Sequence, residues 1–203
     1  MKLLKKVSVL EVKRCFVMAQ LVRWTKRHRG HLTKPISREE FQAKVAKAHK
    51  KVLTLSRAEL DKIIATEWRK RLIAYDSCQW HLAEVKPTEV GVWKRAGEMP
   101  LSWTNHSLAK TAEHVRRALH GRLKHKRIRA AWAIPGILKT SVDLLQSEKY
   151  LLPIVFKGGT GTNGRRRLKH QMRGDIDDGC MRLIALTVNG AKKILVYFGT
   201  PKK

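Results

Sequence analysis

Three aspartates, Asp175, Asp177 and Asp178, stand within four residues in the segment GDIDDG. Clustered carboxylates can hold Mg²⁺, and bound Mg²⁺ supports hydrolysis of phosphodiesters. His170 precedes them by five residues and is the first histidine to consider as a general base. The alternative is an Asp-Gly turn, in which aspartates accept local backbone hydrogen bonds and face nearby arginines. The segment therefore predicts either a magnesium site or a turn.

A glycine-rich loop with a cationic end precedes the aspartates. Residues 158–164, GGTGTNG, have the spacing of a nucleotide-binding loop, but arginines follow where a P-loop needs lysine and then serine or threonine. Backbone amides approach phosphate closely at glycine, and guanidinium groups bind phosphate oxygens in pairs. We therefore predict a nucleic-acid contact loop with these cations: Arg165, Arg166, Arg167, Lys169 and Arg173.

A second cationic element is the predicted helix over residues 105–126. Leu108, Val115 and Leu119 lie on its apolar face, and Lys110 with Arg117 lies on another. No acidic residue occurs from residue 114 to residue 142, so no neighbour in sequence neutralises these charges. We predict that this helix and the residues after it contact nucleic acid through Lys110, Arg116, Arg117, Lys124, Arg127 and Arg129.

The charge balance indicates the class of partner. The 203 residues include 44 Lys and Arg against 16 Asp and Glu, a net charge of +28. Solubility alone needs much less, and each phosphate that such a protein neutralises releases condensed counterions, which favours binding. No stretch approaches the roughly 20 apolar residues of a membrane-spanning helix. Nucleic acid is therefore the expected partner, and a membrane is not.

Two short segments resemble known families. Residues 115–119 followed by residues 126–132 resemble the recognition helix and first wing strand of a winged helix-turn-helix, which implies a helix that enters the major groove of DNA. The DIDDG segment resembles the carboxylate segment of phage-type Holliday junction resolvases of the RusA kind, which implies metal-dependent cleavage. No acid lies between Glu148 and Asp175, so a metal pair would need Glu148, Asp143 or another distant carboxylate.

The expected fold class is α+β, with a helical N-terminal half over about residues 5–75 and an α+β C-terminal half that ends in a β-hairpin. Ser37 and Ser56 each begin an S-x-x-E capping box, and apolar residues from Leu60 to Tyr75 recur at helical spacing. Residues 181–188 and 191–198 are apolar and flank Asn189-Gly190, a dipeptide typical of a type I′ hairpin turn.

Pro and Gly between residues 76 and 104 predict a connecting region with short strands or turns. The expected organisation is a basic helical region over residues 1–75, this connecting region, and a basic α+β nucleic-acid-binding region over residues 105–203. One continuous domain is the alternative. The three widely spaced cysteines indicate a reducing compartment, so we expect an intracellular protein, cytoplasmic or nucleoid-associated.

These observations predict a DNA- or RNA-binding protein that contacts the phosphate backbone without catalysing a reaction, such as a regulator or maintenance factor of a mobile element. It would need no cofactor. Two alternatives remain open. The first is a structure-specific nuclease that uses Mg²⁺ at Asp175, Asp177 and Asp178, and the second is a structural subunit of a ribonucleoprotein.

Overall fold

The computed structural model describes residues 1–22, 25–28, 31–121, 129–160 and 172–202, with the backbone alone for 25–28, 31–35, 67–68 and 129–132. The strands are β1 (Lys2–Val7), β2 (Thr25–His28), β3 (His31–Pro35), β4 (Cys78–Val85), β5 (Val90–Val92), β6 (His106–Ser107), β7 (Ile154–Lys157), β8 (Gly174–Asp178) and β9 (Ile194–Pro201). The helices are α1 (Val9–Leu21), α2 (Arg38–Thr54), α3 (Arg57–Asp76), α4 (Leu108–His120), α5 (Arg129–Thr140), α6 (Leu144–Ser147) and α7 (Cys180–Val188). The class is α+β, as expected.

Seven strands form one mixed sheet in the order β1-β4-β9-β7-β8-β5-β6, and β2 and β3 form a separate antiparallel pair. The short connection from β4 to β5 shows that the sheet curls. Four strand spacings separate β4 from β5, about 19 Å in a flat sheet. The turn between them is closed by a hydrogen bond from the Glu89 amide to the Lys86 carbonyl, so it is too short to cross a flat sheet.

Helices cover both faces of this sheet. In β7, Ile154 and Phe156 belong to one apolar core, with residues of α1, α2 and α3, while Val155 belongs to a second core, with residues of α4, α5 and α7. Alternation along a strand sends neighbouring side chains to opposite faces, which explains the division. The sheet therefore separates α2 and α3 from α4.

The predicted helix starts in the N-terminal half are confirmed. The Ser37 hydroxyl accepts a hydrogen bond from the Glu40 amide, and Ser56 forms the full capping box with Glu59. On α3, Leu60, Ile64 and Tyr75 are fully buried, as their spacing predicted. The strands β1, β2 and β3, which lie between or before these helices, were not predicted.

The predicted C-terminal hairpin is wrong, because residues 180–188 form helix α7. Gly190 has a φ of +94° and ends the helix, and the Ala191 amide donates to the Leu186 carbonyl. Glycine after a helix and glycine in a type I′ turn need the same left-handed backbone. A short apolar run that is buried on all sides has no periodicity to distinguish a helix from a strand, so the dipeptide was assigned to the wrong motif.

Candidate functional site

Asp177 lies at the end of β8 and is almost completely buried, with 1% of its side chain exposed. Its Oδ2 accepts hydrogen bonds from the Nε of Arg71, at 2.8 Å, and from the hydroxyl of Tyr75, at 2.8 Å. Both donors come from α3, where they are four residues apart and so lie on one face. Burial raises the pKa of Tyr75 well above its ordinary value, so the phenol remains a donor to the carboxylate.

Asp178 pairs with Arg182 across the start of α7. The buried guanidinium of Arg182 also donates to the carbonyl of Leu151. Gly179 lies between the two and has a φ of +84°, and a Cβ there would come within 2.9 Å of the Arg182 guanidinium. Glycine is thus required both for the backbone conformation and for the close approach of the cation.

Asp175 is held by a different part of the molecule. Its Oδ2 accepts a hydrogen bond of 2.7 Å from the amide of Gly159, in the loop after β7. Burial raises the pKa of Asp175, and the Gly159 hydrogen bond offsets this only in part. The three aspartates therefore have three sets of partners: Asp175 a backbone amide, Asp177 residues of α3, and Asp178 an arginine of α7.

These contacts bear on the predicted magnesium site. Within the ranges that the structure describes, no three or more His, Cys, Asp or Glu side chains are grouped so that they could hold a metal ion. Asp177 and Asp178 each have a guanidinium partner, which competes with a cation for the carboxylate oxygens. His170, the predicted base, lies outside the described residues.

A cavity of about 260 Å³ opens beside these ion pairs. Gln20, Arg71, Trp93, Asp178 and Met181 are among the residues that line it. The segment that supplies Trp93 continues through residues with left-handed backbone, namely Arg95 at φ +55°, Glu98 at +63° and Asn105 at +66°. Strained backbone of this kind concentrates at functional sites. Because Asp177 and Asp178 line it, the cavity is a candidate binding site beside the aspartates.

The predicted cationic helix is present as α4, from Leu108 to His120. Leu108 and Val115 are buried in the second core, while Lys110 and Arg117 are exposed. Arg117 pairs with Glu113 one turn earlier, with 73% of its side chain in solvent. The outward face of α4 thus carries the two cations that its sequence placed there.

Arg116, also predicted as a nucleic-acid contact, has partners within the protein. Its guanidinium donates to the carbonyls of Thr187, at 3.0 Å, and Val188, at 3.4 Å. These carbonyls are at the C-terminal end of α7, where the helix dipole favours a cation. Arg116 therefore joins α4 to α7.

Of the other residues predicted to contact nucleic acid, one is paired at the surface, one begins a helix, and the rest lie outside the described residues. Arg173 is exposed and donates to the Glu89 carboxylate at 3.1 Å. Arg129 begins α5, where the structure describes the backbone alone. The other predicted contacts lie outside the described residues: Lys124, Arg127, Arg165, Arg166, Arg167 and Lys169.

Sequence reasoning missed the buried cations that organise this side of the sheet. Arg71 binds Asp177, and Lys13 is fully buried with its ammonium 2.6 Å from Asp61 and 2.7 Å from Asp76. A signal was present for Arg71, because its position falls on the face of α3 that also carries Ile64 and Tyr75. A cation on the apolar face of a helix indicates a buried carboxylate partner.

In the described ranges no helix has the length and apolar character needed to cross a bilayer. All three cysteines are buried, and within the described residues they form no disulfide. No protein-family model, no curated protein and no solved structure matches this chain. Any assignment of function must therefore come from the residues themselves.

Proposed function

We propose that this protein binds nucleic acid, DNA or RNA, by contacting the phosphate backbone, and that it acts without catalysis. The observation that supports this most is the charge excess of 28, combined with a helix, α4, whose buried face fixes Lys110 and Arg117 toward solvent. Because the helix backbone is already ordered, binding a phosphate there costs only the rotamer freedom of the two side chains.

The ion pairs inside the fold do not reduce this excess. Pairs such as Arg71 with Asp177 and Arg182 with Asp178 remove one positive and one negative charge together. Since these carboxylates are directed inward, they are not available to neutralise cations on the outer helix faces. Binding of a polyanion is favoured because its phosphates neutralise the excess cations and its condensed counterions are released.

A metal-dependent nuclease is the second candidate, and the cavity beside Asp177 and Asp178 is the observation that favours it. The guanidinium partners of both carboxylates favour the binding protein instead. Incubation with branched and linear DNA and with RNA, in Mg²⁺ or Mn²⁺, separates the two. Cleavage that is lost in an Asp177→Asn variant shown by circular dichroism to be folded would establish the nuclease and overturn the proposal of a binder without catalysis.

The binding experiment is a salt series with fluorescently labelled single strands and duplexes. We expect the logarithm of the affinity to fall steeply with the logarithm of the salt concentration, by about 0.9 per phosphate contact on duplex DNA. A flat dependence would overturn the proposal. An intracellular location, cytoplasmic or nucleoid-associated, belongs to the same proposal and is checked by recovering the nucleic acid bound to the protein in cells.

The contribution of α4 is tested with the double variant Lys110→Ala/Arg117→Ala. We expect its salt slope to be lower than that of the unmodified protein by about 2, one unit for each lost contact. The matched control is Lys5→Ala/Lys6→Ala, which removes two exposed charges from β1 and keeps the net charge equal. If both variants change the slope equally, α4 is not a contact surface.

A further inference from the structure

Helix α2, in the N-terminal half, has a cationic outer face. The contacts predicted from the sequence all lie in the C-terminal half. Its inner face is fixed by four residues at helical spacing, Phe41, Val45, Ala48 and Val52, all buried in the first core. The spacing of 4, 3 and 4 residues keeps these side chains on one side of the helix. The opposite side is therefore held toward solvent.

Three lysines, Lys47, Lys50 and Lys51, are exposed on that opposite side. No acidic residue occurs in α2 after Glu40, which pairs with Lys44 at 3.1 Å. Among the residues that the structure describes, no carboxylate lies within ion-pairing distance of the three lysines. Their charges remain uncompensated, in contrast to those of Lys13 and Arg71.

We propose that the outer face of α2, formed by Lys47, Lys50 and Lys51, is a second phosphate-binding surface for nucleic acid, an inference that rests on the proposed function. The rise from Lys47 to Lys51 is about 6 Å, and one strand of a duplex presents a phosphate every 3.4 Å along its axis. The lysines thus span nearly two phosphate intervals and can reach about two to three successive phosphates of one strand.

The neighbouring side chains on this face favour close approach. Ala43 and Ala46 are exposed and lie one turn before the lysines. Side chains of this size let a backbone come near the helix surface, and lysines can then reach phosphates on either side. The Thr54 hydroxyl donates a hydrogen bond of 2.8 Å to the Lys51 carbonyl and adds no negative charge to this face of α2.

A nucleic acid fits this surface better than an anionic lipid bilayer. A helix that lies in a membrane interface buries an apolar face in the lipid. The apolar face of α2 is already inside the protein, and Leu53 is the one large apolar side chain among the exposed residues of α2. The available attraction is therefore electrostatic, which suits a regular row of phosphates.

This surface is separate from that of α4. The buried residues of α2 belong to the core on one face of the sheet, and those of α4 belong to the core on the other. Substitutions in α2 should therefore leave the α4 contact intact, and the effects of the two sets on binding free energy should add.

The test compares Lys47→Ala/Lys50→Ala/Lys51→Ala with the control Lys5→Ala/Lys6→Ala/Lys94→Ala, which removes the same charge from β1 and the turn after β5. The probe is a labelled 30-base-pair DNA duplex, with an RNA duplex of the same sequence alongside. We expect the α2 variant to bind about tenfold more weakly than the control near 100 mM salt, with a salt slope lower by about 2.

Equal affinities for the two triple variants would overturn the inference, provided that circular dichroism shows both to be folded. If the unmodified protein binds but only the α2 inference fails, the proposed function stands. If the unmodified protein shows no salt-dependent binding, the proposed function itself fails. Vesicles containing phosphatidylserine complete the test, because tighter binding to vesicles than to either duplex, lost in the α2 variant, would assign the surface to lipid.

Discussion

Cations play opposite roles in two regions of this molecule. In the region around Asp177, Asp178 and Lys13, the cations are buried or nearly so, and each faces a carboxylate at hydrogen-bonding distance. On the outer faces of α2 and α4, lysines are exposed on helices whose acids are few. The ion pairs of the first region join elements of the fold, and the lysines of the second are exposed to solvent. The net charge includes the buried and the exposed cations alike, so only the position of each cation in the fold distinguishes the two kinds.

The largest expected difference between the two regions is in stability. Asp177→Ala removes the carboxylate that accepts hydrogen bonds from the largely buried Arg71 guanidinium and from the buried Tyr75 hydroxyl. Breaking a buried ion pair in this way costs about 3–5 kcal/mol of the free energy of unfolding. Urea denaturation measures the loss.

The matched control for Asp177→Ala is Asp143→Ala, because Asp143 pairs with Arg38 at the surface and both side chains are about half exposed. An exposed pair of this kind contributes about 0–1 kcal/mol. Equal destabilisation by the two variants would remove the distinction between the buried and exposed regions.

A smaller effect is expected at Lys13. Lys13→Met keeps the length of the buried side chain and leaves Asp61 and Asp76 without their shared ammonium. Both carboxylates are partly exposed and stay near Arg57, so we expect a loss of about 2 kcal/mol, less than for Asp177→Ala. Thermal unfolding of both variants in the same buffer ranks them. A larger loss for Lys13→Met would show that the ion pairs of Lys13 contribute more to stability than the contacts of Asp177.

The smallest effect is expected at Asp175, and its sign is opposite. The pKa of Asp175 is raised in the folded protein, so folding favours the protonated form. Its stabilising contribution is fully present below the ordinary pKa of 3.8 and is lost as the pH rises through the raised pKa. At pH 7 the carboxylate therefore opposes folding. Asp175 is partly exposed, so solvent screening limits the effect. Asp175→Asn should stabilise the protein at pH 7 by no more than about 0.5 kcal/mol, since the amide oxygen can still accept from Gly159.

Urea unfolding at pH 7 and at pH 3 measures this effect. At pH 3 both side chains are neutral in the folded protein, so the two proteins should differ less than at pH 7. A lower stability of Asp175→Asn at pH 7 would mean that the carboxylate gains more from the Gly159 amide than it loses by burial. Asp175 would then belong with the paired charges of the buried region.

Local patterns predicted much of the fold. The serines that cap α2 and α3 and the buried face of α3 follow from hydrogen bonding and periodicity within a single helix. The same logic placed Lys110 and Arg117 on the outside of α4. Helix α7 was missed because its apolar residues are buried on every side, and burial of that kind depends on elements distant in sequence.

The candidate site was predicted less well, for a related reason. The aspartates are visible in the sequence, but their partners Arg71 and Arg182 reach them only when α3 and α7 pack against β8. Arg116 is similar, because its sequence neighbours suggest a surface cation and its partners are carbonyls of α7. Which charges face inward is decided by tertiary packing, so composition and spacing could give only the residue types.

The position of β9 has a consequence for how the chain folds during synthesis. Among the described strands, β9 comes after the other eight in sequence and lies between β4 and β7, in the interior of the sheet. Residues 194–201 must therefore be synthesised before β9 can join β4 to β7. Helices that form earlier keep their apolar faces exposed until then. Long-range pairing of this kind slows folding and leaves partly folded chains prone to aggregation.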